Sequence, residues 1–285
     1  MIKKILLFLF ILMLVSCFPE PVERAVLPTN DFLVIAHRGA SAYAPAHTML
    51  AYELAVQMEA DYIELDLHMT RDKKLVALHD PEISLKGKKR RIANITHEEL
   101  KNYSPGAIYN EEYPEFASPI FEAFPVPELG EILAHFKDEV NYYIEIKSPT
   151  ITPGMEEELI RQLRAHHLLN RSDKLPKVII QSYNAKSLKK VFQLEPSIPL
   201  IKLYSKKTDS ISKREIRSLG QYASGVGVNM NLVTTELITR LHKAGLHIHP
   251  FVVNEEKTIQ SIKQMGVDGV FTDKPDIAVK VKNKD

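Results

Sequence analysis

Short apolar runs alternate with stretches of helical spacing along the chain from Asp31 onward. The apolar runs are rich in Val, Ile, Leu and Tyr and predict strands at residues 32–36, 62–67, 75–78, 142–146, 178–181, 199–203, 225–228, 248–252 and 269–271. The intervening segments predict helices, among them residues 48–58, 155–166, 185–194 and 236–244. Strand–helix alternation of this kind predicts an α/β fold, a TIM-type (β/α)8 barrel.

The second and third predicted strands account for the one strand in excess of eight. Only residues 69–74 separate them, whereas a parallel crossover needs about a dozen residues. A hairpin turn near Asp72 would make the third strand an antiparallel return and place Asp66 roughly opposite His79. Alternation along the second strand puts three polar side chains on one face: Glu64, Asp66 and His68.

Residues 82–135 have few strand signals and predict an insertion between the strand that leads to His79 and the strand that contains Glu145. A loop this long in a compact domain is usually functional or disordered, so we expect a lid over the barrel mouth. Its aromatic residues either pack on one another or contact a lipid or alcohol moiety of the substrate: Tyr103, Tyr109, Tyr113, Phe116, Phe121 and Phe124.

Length and charge narrow the class of protein further. At 285 residues the chain is long enough for one barrel-sized domain, which removes roughly 75% of its unfolded surface from water. A net charge of +1 gives no reason to expect a nucleic-acid partner, and nothing implies a protein partner. The basic run at residues 86–91 predicts a solvated loop, with binding of anionic lipid or a polyanionic substrate as the alternative.

The first residues predict export instead of a part of the barrel. Lys3 and Lys4 precede an apolar run that is too short for the roughly 20 residues of a membrane span, so residues 1–16 have the pattern of a signal peptide. Their end resembles the processing box of bacterial lipoproteins, which implies cleavage before Cys17 and acylation of its thiol. The alternative is an uncleaved anchor with an incidental cysteine.

Cys17 is the only cysteine in the chain. An exported protein avoids an unpaired thiol unless lipid caps it, which favours the lipoprotein interpretation. Residues 17–30 then form a lipidated tether and residues 31–285 the barrel domain. The expected location is the bacterial cell envelope, with the membrane as a partner through the lipid on Cys17.

Acidic side chains follow or end several of the predicted strands. Glu64, Asp66 and Glu145 offer carboxylate oxygens, the ligands that Ca²⁺ and Mg²⁺ prefer. Because barrel strands display chemistry at their carboxyl-terminal ends, the three acids are expected at one mouth. Alternatively, each inward acid pairs only with Arg38 or Lys147. A divalent metal, Ca²⁺ or Mg²⁺, is the expected cofactor.

Basic and imidazole groups occupy equivalent strand ends. His37 and His79 are the candidates for acid–base catalysis, because an unperturbed imidazole titrates near neutral pH. Arg38 can bind phosphate oxygens through two parallel hydrogen bonds, and Lys147 adds a point charge. Further candidate pocket residues are His47, His68 and Phe251, the last within the cluster His249-Pro250-Phe251. The set predicts a small anionic phosphorus substrate held on a divalent metal.

Taken in order, these residues resemble the glycerophosphodiester phosphodiesterase family, within the wider phosphatidylinositol-phospholipase-C-like barrels. The resemblance runs through residues 35–41, 60–66, 76–80, 143–147, 249–254 and 266–275, and so covers nearly the whole chain after the tether. It implies metal ligation by Glu64, Asp66 and Glu145, and acid–base roles for the two histidines. The implied reaction splits a glycerophosphodiester, such as glycerophosphocholine, into glycerol 3-phosphate and an alcohol.

Three positions depart from the family pattern. The family usually has Pro-Glu-Asn-Thr or Pro-Glu-His-Thr in the first βα loop, and this chain has Ala46 in place of the glutamate. Its loss could weaken the metal site, alter metal preference, or shift the role to His47. The Arg-Thr-Thr stretch after the second histidine is absent, and Phe251 replaces a common tryptophan. The alternative functions are action on lysophospholipid, phosphoinositide or teichoic-acid-like diesters, and a catalytically weak binding protein.

Overall fold

The computed structural model describes residues 23–29, 31–169, 171 and 173–284. The predicted signal peptide, Cys17 and the first part of the predicted tether lie outside these ranges. Within them, no helix is both long and apolar enough to cross a bilayer.

Eight parallel strands form a nearly closed barrel, which confirms the predicted fold class. The described ranges contain strands β1 (Leu33–Ala36), β2 (Tyr62–Met69), β3 (Leu75–Ala77), β4 (Glu82–Leu85), β5 (Lys88–Arg91), β6 (Tyr142–Ile146), β7 (Val178–Ser182), β8 (Leu200–Tyr204), β9 (Gly225–Asn229), β10 (His247–Phe251) and β11 (Gly269–Thr272). The barrel order is β10-β9-β8-β7-β6-β2-β1-β11. Two backbone hydrogen bonds join its ends, from Asp268 N to Ile248 O (3.1 Å) and from Val253 N to Phe271 O (2.9 Å).

In the part of the chain that the structure describes, eight of ten α-helices surround the barrel. The helices are α1 (Met49–Gln57), α2 (His97–Leu100), α3 (Pro105–Glu112), α4 (Leu129–Phe136), α5 (Met155–Ala165), α6 (Ala185–Leu194), α7 (Lys213–Leu219), α8 (Thr235–His242), α9 (Glu256–Met265) and α10 (Pro275–Lys282). Helix α4 follows the insertion, and each of the other seven directly follows a barrel strand. Thr48, Asn184 and Thr234 cap their helices by accepting a backbone N–H, which fixes where α1, α6 and α8 begin.

The hairpin of β2 and β3 is antiparallel and turns at Asp72, as predicted, since Met69 pairs with Leu75. The prediction that Asp66 lies opposite His79 is wrong by one residue. Leu78 donates its backbone N–H to Asp66 O (2.9 Å), so His79 follows one position later. His79 therefore leaves the hairpin just beyond the last paired residue.

The insertion between β3 and β6 is more ordered than the sequence indicates. The basic run predicted as a loop instead forms strand β5, which pairs with β4 through the turn Lys86-Gly87. Its side chains are largely exposed, while Ile83 and Leu85 on β4 are buried. The predicted insertion also ends earlier than residue 135, because the apolar face of α4 packs in the main core.

The barrel interior is filled by inward-facing residues in layers. An apolar cluster occupies its lower part: Leu27, Leu33, Ile35, Tyr62, Tyr143, Ile179, Ile201 and Phe271. Several of the next positions upward on the same strands are polar, among them Glu64 on β2 and Gln181 on β7, whereas Leu203 on β8 is apolar. Because side chains alternate along each strand, the functional groups stand directly on this apolar layer.

Residues 23–29, here called the floor segment, lie against the amino-terminal end of the barrel. Arg24 donates to Gly220 O (3.1 Å) and Gly245 O (2.8 Å), both in turns that precede barrel strands. Leu27 is buried beneath the apolar layer. The predicted tether to residue 30 therefore includes residues that belong to the barrel domain, since burial of Leu27 and the Arg24 hydrogen bonds hold them there.

Candidate active site

Three carboxylates meet at the carboxyl-terminal end of neighbouring strands. Asp66 on β2 pairs directly with Glu145 on β6, and Glu64 lies one inward position below Asp66. One oxygen from each residue lies within 4.8 Å of the others, and all three side chains are buried. This arrangement matches the predicted metal-ligand set.

Two cations border the carboxylates. Lys147 Nζ lies 3.2 Å from Glu145 and 3.4 Å from Asp66, and Arg38 Nε lies 3.5 Å from Asp66. The Arg38 backbone N–H also donates to Glu64 (2.9 Å). Gly39 makes this turn possible, because its φ is +85° and a Cβ there would lie 2.6 Å from the Ala51 backbone.

The carboxylates are too close to be ionised together without a further cation. Burial and the charge of Asp66 raise the pKa of Glu145 to about 8, and burial with both neighbouring carboxylates raises the pKa of Glu64. Burial opposes ionisation of Asp66 too, but His47, Lys147 and Arg38 hold its pKa well below the usual range. Two of three acids therefore favour a proton, which a divalent cation would replace.

The donor set fits such a cation. Gln181 Nε2 donates to Glu64 (3.0 Å), while the buried Gln181 Oε1 has no hydrogen-bond partner among the described residues. An unpartnered oxygen beside three carboxylates is a hard ligand of the kind that Ca²⁺ and Mg²⁺ take. Glu64, Asp66 and Glu145 could therefore hold a divalent metal ion.

His37 is oriented by a carboxylate far away in sequence. Its Nδ1 lies 2.7 Å from Asp273 Oδ1, which leaves Nε2 for the substrate side. Ser41 Oγ (2.8 Å) and Asn254 Nδ2 (2.7 Å) also donate to the Asp273 carboxylate. Burial would raise the pKa of Asp273, but these hydrogen bonds together with His37 lower it to about 2. The carboxylate therefore stays charged at neutral pH.

His79 has a matching arrangement at the hairpin exit. Its Nδ1 lies 2.7 Å from Asp80 Oδ1, and its backbone carbonyl accepts from His68 Nε2 (3.1 Å). Burial first, and then the charges of Arg38 and Lys147, lower the pKa of His79. A neutral imidazole is thus favoured, with Nε2 available to exchange a proton.

Two adjoining cavities share His37, Arg38 and His79 in their walls. The inner cavity, of about 250 Å³, contains the three carboxylates, Lys147, Tyr183 and Phe251. The outer cavity, of about 520 Å³, lies between the barrel rim and the insertion. A group bound between the two histidines therefore has one substituent in each cavity.

The other predicted pocket residues occupy different positions. Phe251 lines the inner cavity. His47 is buried between Tyr52 Oη (2.9 Å) and Asp66 (3.0 Å), and burial lowers its pKa to about 4 despite the Asp66 contact. His68 supports the His79 carbonyl and lines a separate small cavity. Of these three residues, Phe251 and His47 contact the site, and His68 acts from behind it.

Ala46 and His249 lie away from the carboxylates. Ala46 lines the outer cavity, whereas the three acids line the inner one. A missing carboxylate at this position therefore bears on the outer cavity and leaves the ligand set intact. His249 is fully buried inside the barrel with Nδ1 beside Tyr143 Oη (3.0 Å). The cluster His249-Pro250-Phe251 therefore supplies the Phe251 ring to the site and no imidazole.

Several further groups complete the site, and the sequence pattern assigns no role to them. They are Ser41, Asp80, Gln181, Tyr183, Asn254 and Asp273. Asp273 directly follows strand β11 and Gln181 lies at the end of β7, so the strand-end rule used for the other residues would have found both. Ser41 and Asn254 lie in stretches that resemble the family, but only their hydrogen bonds to Asp273 show what each of them does.

An eight-stranded α/β barrel with carboxylates, cations and two histidines at the carboxyl-terminal ends of its strands has the groups that a hydrolase of anionic esters requires. The model of the "Glycerophosphoryl diester phosphodiesterase family" matches residues 37–277. The chain is 40% identical to a glycerophosphodiester phosphodiesterase of Bacillus subtilis (strain 168) over 282 residues, which cover 97% of this chain and 96% of that relative. The chain therefore belongs to the glycerophosphoryl diester phosphodiesterase family, and it is an enzyme of the phosphoric diester hydrolase class.

Solved structures share the fold at lower identity. An Oleispira antarctica phosphodiesterase in complex with the product sn-glycerol-3-phosphate superposes with a TM-score of 0.75 at 22% identity, covering 90% of this chain and 98% of that one. A glycerophosphodiester phosphodiesterase from Thermotoga maritima gives 0.65 at 23% identity, covering 88% and 99%. Both are therefore similar to this chain in their barrel.

Proposed function

We propose that this enzyme hydrolyses small glycerophosphodiesters to glycerol 3-phosphate and an alcohol, with Ca²⁺ or Mg²⁺ bound by Glu64, Asp66 and Glu145. The observation that carries the proposal is the three-carboxylate cluster, which lies in one cavity with both histidines, Arg38 and Lys147. A bound divalent cation would polarise a phosphoryl oxygen and orient a hydroxyl group.

The residues of the chain provide the proton transfers and the phosphate contacts. His37 and His79 hold their Nδ1 atoms on Asp273 and Asp80, so each can direct Nε2 at the shared wall of the two cavities. One imidazole removes the proton of the attacking oxygen, and the other protonates the leaving alkoxide as the P–O bond breaks. Arg38 and Lys147 stabilise the charge that develops on the phosphoryl oxygens.

The two cavities support a deacylated substrate. The inner cavity is small, and three carboxylates and a lysine line it beside Leu203, Phe251 and Phe271, which suits a short polyhydroxylated group such as glycerol. A long acyl chain in it would remove water from the charged groups without replacing the hydrogen bonds of that water, which is unfavourable. The outer cavity is left for the alcohol.

The test is release of glycerol 3-phosphate from a panel of glycerophosphodiesters by the chain from residue 18 onward, with chelator and then Ca²⁺ or Mg²⁺ added back. Turnover should vanish with chelator and return with metal. His37→Ala and His79→Ala should each lose about 10²–10⁴-fold in kcat, while His135→Ala, an exposed histidine on α4, should keep full rate. Metal-independent turnover, or none with any diester, would refute the proposal.

We further propose that the enzyme is exported and held at the bacterial cell envelope by lipid on Cys17. The support is the short apolar run followed by Leu14-Val15-Ser16-Cys17. Metabolic labelling with a fatty acid should mark the wild type and not a Cys17→Ser variant, which should appear in the soluble fraction. A Cys17→Ser protein that stays acylated would disprove the anchor.

A further inference from the structure

The outer cavity has an aromatic wall supplied by the insertion. Tyr103, Tyr109, Tyr113 and Phe116 face the same space as His79. The rings of the wall support one another, since the Tyr109 ring lies 5.0 Å from the Tyr113 ring at a tilt of 40° and meets the Phe121 ring edge-on at 5.5 Å. Four rings on one side of a cavity are more than a neutral polar alcohol requires.

The packing of the insertion holds this wall in place. Helix α3 lies so close to the turn at Pro119–Ala123 that a Cβ on Gly106 would overlap the Phe121 carbonyl. Asn110 bonds both the carbonyl (2.9 Å) and the N–H (3.0 Å) of Ser118. Rings fixed in this way lose little conformational entropy when a ligand binds.

The cavity also has excess negative charge. Glu112 and Asp80 line it, and neither forms an ion pair with a lysine or arginine among the described residues. Burial and then both of these carboxylates raise the pKa of Tyr103, so the two charges act on one ring. Arg38 is the one lysine or arginine in the described lining, and it is directed to Asp66 on the inner side.

Aromatic faces and carboxylates together are how proteins bind quaternary ammonium groups. We propose that the outer cavity selects diesters whose alcohol is a cation, and a quaternary ammonium alcohol such as choline above the others. Tyr103, Tyr109 and Tyr113 then contact the methylated cation, and Glu112 balances its charge. This inference rests on the proposed function, because the alcohol is placed by the phosphodiester between the histidines.

The sharpest test compares glycerophosphocholine with glycerophospho-3,3-dimethylbutanol, in which carbon replaces the charged nitrogen and the shape is kept. Cation–aromatic contacts are worth a factor of roughly 3 to 30 in affinity, so kcat/KM should favour the choline ester by about 10-fold. Hydrolysis of both esters at equal kcat/KM would overturn this inference and leave the proposed function standing. Hydrolysis of neither would refute the proposed function, and this inference with it.

Two exposed residues test the wall and the charge separately. Glu112→Gln and Tyr113→Ala should each reduce the preference for the choline ester about 3- to 10-fold, with the change in KM larger than in kcat. Glu111→Gln removes a neighbouring exposed carboxylate that does not line the cavity, and it should keep the wild-type ratio. Equal ratios in all variants would disprove the assignment of these residues.

Discussion

At the scale of single residues, the site depends on carboxylates that repel one another. Glu145, whose pKa is raised to about 8 by burial and by Asp66, is the member most easily made neutral. Glu145→Gln should therefore leave the melting temperature of the metal-free protein within about 2 °C of wild type. It should abolish the rise in melting temperature on adding Ca²⁺ or Mg²⁺. A metal-induced rise equal to that of wild type would remove Glu145 from the ligand set.

Asp273 acts on the reaction through His37. Asp273→Asn keeps the shape but can donate to Nδ1, which favours the wrong tautomer of the imidazole. We expect kcat to fall about 10²-fold or more with little change in KM. In the folded protein the pKa of Asp273 is about 2, which is lower than in the unfolded chain. The Asp273 carboxylate therefore stabilises the fold fully above about pH 4, and this stabilisation is lost as the pH falls through 2. An unchanged kcat would show that His37 needs no partner.

A substitution at Ala46 tests whether the first βα loop affects metal binding or the choice of alcohol. Because Ala46 lines the outer cavity, Ala46→Glu should leave Ca²⁺ and Mg²⁺ affinity within about twofold, as expected for a site that keeps its three ligands. It should change the order of preference among alcohols, measured as kcat/KM over the diester panel. A large gain in metal affinity would place this side chain in the inner cavity instead.

At the scale of elements, the insertion packs in a small apolar cluster that it shares with Val76 on β3. Ile95 is buried there with Ile83, Leu85 and Ile92, apart from the main core. Ile95→Ala should cost about 2–5 kcal/mol of local stability and make the insertion a site of early proteolysis. Ile120→Ala, on an exposed side chain, is the matched control and should change stability by less than about 0.5 kcal/mol. Equal proteolysis of both variants would show that this cluster does not hold the insertion in place.

The sequence predicted elements best where a buried strand ends in a polar group. His37 and Glu145 were both located this way, because an apolar run bounded by a charge has few alternative structures. The sequence predicted the hairpin turn at Asp72 correctly. It placed His79 roughly opposite Asp66, one residue away from its actual position, since sequence does not show where strand pairing stops. Strand β5 was missed because its exposed side chains lack the apolar alternation of a half-buried strand. The Asp273 contact spans 236 residues, and only the closed barrel brings its partners together.

At the scale of the whole molecule, the floor segment closes the barrel on the side away from the site. Leu27 is 1% exposed and packs on the lower apolar layer. Leu27→Ala should lower the free energy of unfolding by about 2–5 kcal/mol, measured by urea denaturation, with kcat unchanged at temperatures well below the transition. A loss of activity without a loss of stability would mean that the floor communicates with the mouth.

The position of the floor segment also distinguishes the two ends of the barrel. The chain enters the fold beneath the barrel, and both cavities open at the other end. An attachment made ahead of Glu23 would therefore join the barrel at the end opposite to the catalytic groups. Dissolved diesters would reach the histidines from the free end, without passing the attached one.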